Sequence, residues 1–427
     1  MTGNLVMFED DGFADLYPLT LTRPSFDLMC GSRALGEKLR TGLGVAAEGR
    51  PGSAGTWYHA RAYLGQAGAG NGRAVTSYAD LCRGTERVNL VNGRLVLGSD
   101  LAARLNFTQP VKYVSGGTVI AASVPGSLAA GLDRLIGKPI GRAAFADLPA
   151  SEVDACLVKY PWDLVARNGA ELAADFAAMG GSRIELEPPP GVFLVNPSGI
   201  RIARGASLAP GVVIDASAGP VIIEAGAIIM ANASLEGPLY VGAGSTIKMG
   251  ATIYGGTTIG PACKVGGEVG ETIFHGYSNK QHAGFVGHSY IGEWVNLGAG
   301  TNTSDLKNNY STVKVRVGGS PVDTGELFAG IYVGDHSKSG IGTVFNTGTT
   351  VGVCCNLYGA DYPPKALPSF TWGGSGRFRE HRLTAALETA RRAMQRRDRV
   401  LDARGEAILK HVFELTSGER TSFLTEQ

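Results

Sequence analysis

Three of the chain's seven histidines, His275, His282 and His288, stand within fourteen residues of one another. The stretch around them, SNKQHAGFVGHSYIGEWVN, adds the hydroxyl of Ser278 and the amides of Asn279 and Asn296. An imidazole among hydroxyl and amide groups can accept and return a proton in a group transfer, for example of an acyl group from a thioester to an amine. The attacking amine must lose a proton, and an imidazole with an ordinary pKa near ~6.5 can take it. The thioester oxygen needs a donor as charge develops on it, often a backbone N–H. A metal site is the competing chemistry, but the stretch has no carboxylate or thiol at ligand spacing, so no metal ligand is assigned. The plainer alternative for His282 is a corner residue that caps backbone groups.

These residues sit where a strong periodicity is interrupted. In VGAGSTIKMGATIYGGTTIGPACKV, the residues Val241, Ile247, Ile253, Ile259 and Val265 fall six apart, with small or polar residues between. Six is neither the helical period nor the strand period. It is the hexapeptide period of a parallel β-helix, in which each unit makes one short strand and one corner and turns its aliphatic residue inward. Stacked coils bury the rows of aliphatics, so several are needed. The period extends upstream through Ile202, Leu208 and Ile214, then, after a slip near Gly219-Pro220, through Ile222 and Ile228. It resumes at Phe285, Ile291, Leu297 and Thr303, and again at Val333, Ser339, Phe345, Val351 and Leu357. Gly is 62 of 427 residues, about twice the usual ~7%. Tight corners account for the excess without disorder. The gap between Val265 and Phe285 reads as a loop, and loops carry function.

At 427 residues, two or more domains are expected. The net charge of +1 gives no bulk attraction to nucleic acid or to a membrane surface. The opening MTGNLVMFEDDG reaches acids after a short apolar run, unlike a signal peptide, and no run of ~18 apolar residues follows. Six scattered cysteines without metal-ligand spacing read as reduced thiols, and the expected location is the cytoplasm.

Along the chain, Asn4–Phe8 reads as a buried strand, followed by a loop and a helix ending near Arg40. Apolar runs at 87–97 and 111–121 and a helical stretch at 162–179 give the texture of an α/β domain. The run Glu187-Pro-Pro-Pro190 punctuates the chain. The expected domains are therefore 1–187, α/β; 191–360, β-helix; and 361–427, a helical extension closed off by Pro363-Pro364. In the extension, Leu383, Leu387, Ala390, Met394, Leu401 and Ile408 follow helical spacing, the arginines between 391 and 399 read as a solvated face, and the tail after Gly418 reads as frayed.

An α/β domain containing PLTLTRP (18–24), followed by hexapeptide coils, resembles the GlmU-like family of bifunctional sugar-1-phosphate nucleotidyltransferases and acetyltransferases, in a divergent bacterial branch. The resembling stretches are PLTLTRP, VNGRLVL (91–97), YPWDLVARNG (160–169), IKMGATIYGGTTIG (247–260), GYSNKQHAGFVGHSYIGEWVNLGAGT (276–301) and LKNNY (306–310). The resemblance implies a Rossmann-like nucleotidyltransferase domain, a left-handed parallel β-helix and a C-terminal helix. It implies sugar-nucleotide metabolism: acyl transfer, with acetyl-CoA or another acyl-CoA, to an amino-sugar phosphate or nucleotide sugar. By the same resemblance His282 is the catalytic base, Asn296 positions the acceptor and Ala299 makes a backbone contact to the acyl group. Phe285 stands where the family has a sugar-contacting tyrosine. His288 takes the place of a family aspartate and is expected to be structural. Residues 304–327 look like a loop protruding from the coil, which in the family reaches a neighbouring subunit of a homotrimer. Lys280, Lys307 and Lys314 are then candidates for binding sugar phosphate.

The nucleotidyl side departs from the pattern. Relatives hold triphosphate on a Gly-rich loop with a following Pro-Lys pair, and Mg²⁺ on an aspartate in an Asn-Gly-Asp turn. Here the loop is EDDGFADL, the pair is Pro24-Ser25, and Asn92-Gly93 is followed by Arg94. A cation cannot replace a cation ligand, so Mg²⁺ use stays open and Arg23, Arg33 and Arg94 are the candidates for nucleotide phosphates. Two other readings stand: a nucleotidyltransferase whose β-helix only oligomerises it, and a silent trimeric scaffold.

Overall fold

The computed structural model describes residues 4–45, 55–65, 73–83, 86–359 and 361–426; Met1, Ala360 and Gln427, at the edges of the expected domains, lie outside them. The chain forms two compact units. The first comprises Met1–Leu16, Thr22–Leu28 and Arg33–Tyr160; the second comprises Tyr17–Leu21, Met29–Ser32 and Pro161–Gln427.

The first unit is built on a seven-stranded mixed sheet. Its strands run in the order Ala150–Glu152, Val111–Ser115, Thr118–Pro125, Arg87–Asn92, Asn4–Phe8, Thr56–His59, Arg73–Ala74. Asn4–Phe8 pairs in parallel with both its neighbours, so NLVMF reads as a continuous apolar run. Val6 and Phe8 pack on one face, Leu5 and Met7 on the other, and all four are fully buried.

The second unit is the parallel β-helix. Its strands stack into two ten-stranded sheets, one six-stranded sheet and the pair Asn302–Thr303 with Val344–Phe345, parallel except for the closing strand Arg377–Glu380. Val241, Ile247, Ile253, Ile259 and Val265 are at most 1% exposed, as the six-residue period requires. The downstream row from Val333 to Leu357 is likewise buried. At two places the inward row is one residue later than the sequence suggests. Ile202 and Leu208 pair with Ile223 and Ile229, not Ile222 and Ile228, and Ile228 is 47% exposed. Runs of adjacent aliphatics (Val221-Ile222-Ile223, Ile228-Ile229) hide which member faces in. Val269 pairs with Val286, so Val286 is the rung and Phe285 faces outward.

Both ends of the coil reach beyond residues 191–360. Arg183–Ile184 pairs with Ile200–Ile202, and Ala366–Leu367 and Thr371–Gly374 continue the sheets past Pro363-Pro364. Helix Pro161–Ala178 belongs to this unit because Asn168 Nδ2 donates to the Gly256 carbonyl at 2.8 Å, and Thr258 Oγ1 donates to Asn168 Oδ1 at 3.1 Å. The C-terminal extension arrives as three helices, Leu383–Gln395, Ala403–Leu415 and Ser417–Thr425, with Asp402 capping the second through Gly405 N–H. The tail is held instead of frayed: Arg420 is 2% exposed, pairs with Glu380 at 2.9 Å and donates to the Phe413 carbonyl. The arginine run is not wholly solvated either. Arg397 donates to the Ala262 carbonyl and to Asn279 Oδ1, and Arg399 lies over the Tyr277 ring. No helix among the described residues is long and apolar enough to cross a membrane.

Candidate functional site

The interrupted stretch is two strands and a corner. Asn279–Lys280 and Phe285–Gly287 are joined by residues 281–284, and the next coil repeats the pattern with Asn296–Leu297 and Asn302–Thr303. The two corners stack, since Gly300 N–H donates to the Ala283 carbonyl at 3.0 Å. His282 is therefore exposed on a corner directly beside the corner that carries Ala299. No side chain among the described residues hydrogen-bonds its ring. Ala299 gives its carbonyl to Gly342 N–H at 2.8 Å, while its own N–H has no acceptor among the described residues. Asn279 and Asn296 are paired across the strands, and Asn279 Nδ2 donates to Asn296 Oδ1 at 3.3 Å. Phe285 is half-buried on the outer face, its N–H fixed by Asn302 Oδ1 at 2.9 Å.

The other histidines are engaged. His288 is held between two acids: Nδ1 lies 2.9 Å from Asp305 Oδ2 and Nε2 lies 3.0 Å from Glu271 Oε2. Burial pulls its pKa down, but the hydrogen bonds to Asp305 and Glu271 outweigh this and raise it from 6.5 to about 9. The ring also stacks on Phe328 at 5.0 Å. With that pKa, His288 carries its proton at neutral pH and bridges the two carboxylates. The sequence shows no carboxylate at metal-ligand spacing in this stretch, and Glu271 and Asp305 lie outside it. The signal was the coil pitch, because Glu271, His288 and Asp305 lie seventeen residues apart in succession, which stacks them. His275 pairs with Glu293 at 3.3 Å.

The three candidate lysines have different surroundings. Lys280 turns into the coil and is 1% exposed, with Nζ on the carbonyls of Gly266 and His282 at 2.7 and 2.9 Å. Burial lowers its pKa from 10.5 to about 8. It cannot reach a ligand on the surface. The expected protruding loop contains an antiparallel hairpin, Lys314–Val317 with Ser320–Asp323. Its Val313 and Val315 are buried, and the Lys314 carbonyl lies close to Gly348 of the coil. Lys307 donates to Ser311 Oγ and the Thr312 carbonyl within that segment, and Lys314 is exposed opposite Asp323.

In the first unit the acidic loop is wound into the 3-10 helix Asp11–Leu16, and both buried acids at its start are neutralised. Glu9 is fully buried and held by Arg61 through Nε and Nη2 at 3.0 and 3.1 Å, with Ser25 N–H adding a third bond. Asp10 is held by Arg94 through Nε and Nη2 at 2.7 and 2.6 Å, and Asn92 donates to it as well. Charge repulsion from these two acids is thereby cancelled, which the sequence reading did not anticipate because Arg61 lies 52 residues from Glu9. Arg94 Nη1 donates to the Val158 carbonyl. A Cβ on Gly12 would fall 2.4 Å from Arg94 Cζ, so only glycine lets the guanidinium lie against the loop. Arg94 lines a cleft of about 550 Å³ together with Asp11, Asp15, Arg142 and Lys159. Arg23 and Arg33 do not line it. Arg23 is buried, with its carbonyl on Arg61, and Arg33 reaches Thr41 Oγ1. Among the described residues no three His, Cys, Asp or Glu side chains gather as a metal site, and all six cysteines are free.

Residues 5–184 match the family model for sugar nucleotidyl transferases. The likeness to curated proteins is partial. The chain is 34% identical over 91 residues to a bifunctional sugar-1-phosphate nucleotidylyltransferase/acetyltransferase of Sulfurisphaera tokodaii, covering 21% of this chain and 23% of that protein. It is 32% identical over 181 residues to the bifunctional protein GlmU of Rhodococcus jostii, covering 36% and 35%. The chain thus spans about a quarter to a third of the length of these curated relatives. The solved structure of LpxA from Acinetobacter baumannii is 15% identical, covers 48% of this chain and 76% of that one, and has a TM-score of 0.22, too low to carry an argument. The expected architecture, an α/β nucleotidyltransferase-type domain followed by a parallel β-helix of hexapeptide coils, is what the chain contains.

Proposed function

We propose that this protein works in sugar-nucleotide metabolism and that its β-helix transfers an acyl group from acyl-CoA to the amine of an amino-sugar phosphate or nucleotide sugar. The observation that carries this reading is the contrast between the two histidines: His288 is an imidazolium held by two acids, while His282 stands exposed beside Ala299. In the reaction, His282 accepts the proton of the attacking amine and returns it to the departing thiolate of coenzyme A. The Ala299 N–H donates to the thioester oxygen while negative charge builds there. Asn296 orients the acceptor, and Phe285 gives it an apolar wall where the resembled family places a tyrosine. The curated relative named as a nucleotidylyltransferase/acetyltransferase supports the assignment. Acetyl-CoA is the first donor to try, and a homotrimer in the cytoplasm, without a nucleic-acid or membrane partner, is the expected working state.

The first unit supports a second activity, transfer of a nucleotidyl group to a sugar 1-phosphate, because the family match covers it. Its cleft is lined by Asp11, Asp15, Arg142 and Lys159, while Arg94 is committed to Asp10. Mg²⁺ therefore does not bind through residue 94 in this reading. The test of the main proposal is thiol release from acetyl-CoA with a panel of amino-sugar phosphates and UDP- or dTDP-linked amino sugars. Acceptor-dependent release is expected; none with any acceptor, despite bound acetyl-CoA, would count against acyl transfer.

A further inference from the structure

In the column of inward residues that includes Leu208, Ile229, Ile247, Val265 and Leu297, position 280 is a lysine. A buried ammonium is costly unless its hydrogen bonds are met, so its presence needs a reason. The reason lies one coil earlier. From Ile247 to Ile253, and from Lys280 to Val286, the chain takes six residues between inward positions. From Val265 to Val269 it takes four, with Gly266 and Gly267 alone making the corner before Glu268. The following corner, which holds His282, is two residues longer than the one it stacks on. Its backbone lacks that much of its neighbour's support on this side.

Lys280 occupies the junction. Its Nζ donates to the Gly266 carbonyl of the short corner at 2.7 Å and to the His282 carbonyl of the long one at 2.9 Å. Gly267 has φ +70°, and a Cβ there would lie 2.7 Å from both Lys280 Nζ and the His282 carbonyl. The short corner is shaped around the lysine.

We propose that Lys280 is a positioning residue that fixes the backbone of His282 against the shortened corner, and so sets the imidazole in place for proton transfer. This rests on the acyl-transfer reading above for its catalytic meaning, but not for its structural content. Lys280→Met keeps the length and removes the ammonium. Because the Gly266 and His282 carbonyls lose this donor while the cost of a buried charge is spared, the variant is expected to fold with a modestly lower melting temperature. Its kcat is expected to fall by about 10- to 100-fold through misplacement of the base, with the acceptor KM little changed. In histidine-selective NMR of the same protein, the His282 ring resonances should shift and broaden while those of His288 stay in place. Gly267→Ala, which leaves the lysine but presses on the same carbonyl, should give the same pattern. A folded Lys280→Met with wild-type kcat and an unmoved His282 signal would overturn the proposal. So would a raised acceptor KM at unchanged kcat, which is the mark of a phosphate ligand. If wild type transfers no acyl group, the acyl-transfer reading fails, and the NMR arm alone still decides whether Lys280 holds the corner.

Discussion

Arg94 and Asp10 meet through two short bonds, with side chains 7% and 11% exposed. Removing one partner leaves a buried charge unmatched, so Arg94→Ala should lower the unfolding free energy by about 3–5 kcal/mol in urea titration. Asp10→Asn in the same background should restore part of the loss. A loss within about 0.5 kcal/mol would mean that solvent reaches Asp10 freely. At His288 the pKa in the folded protein lies above its ordinary value, about 9 against 6.5. Its contribution to stability is therefore complete below pH 6.5 and fades as pH rises through 9. Melting temperatures of wild type and His288→Asn should differ most below pH 6.5 and converge above pH 9; a gap that widens with pH would reverse the sign. Neither pair was legible in the sequence as a pair. Asp10 and Arg94 are 84 residues apart, and only the fold brings them together.

The coil was legible at the level of elements because its period repeats many times and every repeat obeys one steric rule. Where two or three aliphatics stand side by side, the rule does not choose between them, and the inward row at Ile223 and Ile229 came out one residue from the expected one. This difference is measurable. Ile229→Ala should cost about 2–5 kcal/mol, and Ile228→Ala, at 47% exposure, about 0.5 kcal/mol or less. Equal losses would contradict the register. Lys280 escaped the sequence reading for a related reason. Its type suggests a surface, whereas its place in the column puts it inside the coil. The shortened Gly266-Gly267 corner was the available signal.

At the scale of the whole molecule, the long coil leaves large apolar side chains on its surface, including Met249 at 63% and Ile341 at 83% exposure. Contact between copies would cover them. Light scattering is expected to give three times the mass of the 427-residue chain, and a stable monomer at micromolar concentration would contradict the trimer. In the acyl-transfer site proposed on the coil, His282 is the base. The most direct measurement is steady-state thiol release by wild type, His282→Ala and His288→Ala with the same acceptor. His282→Ala should lose about 10²–10⁴ in kcat with the acyl-CoA KM nearly unchanged, and His288→Ala should keep most of its turnover. A severe His288→Ala beside a mild His282→Ala would contradict this assignment and move the base to the clamp between Glu271 and Asp305.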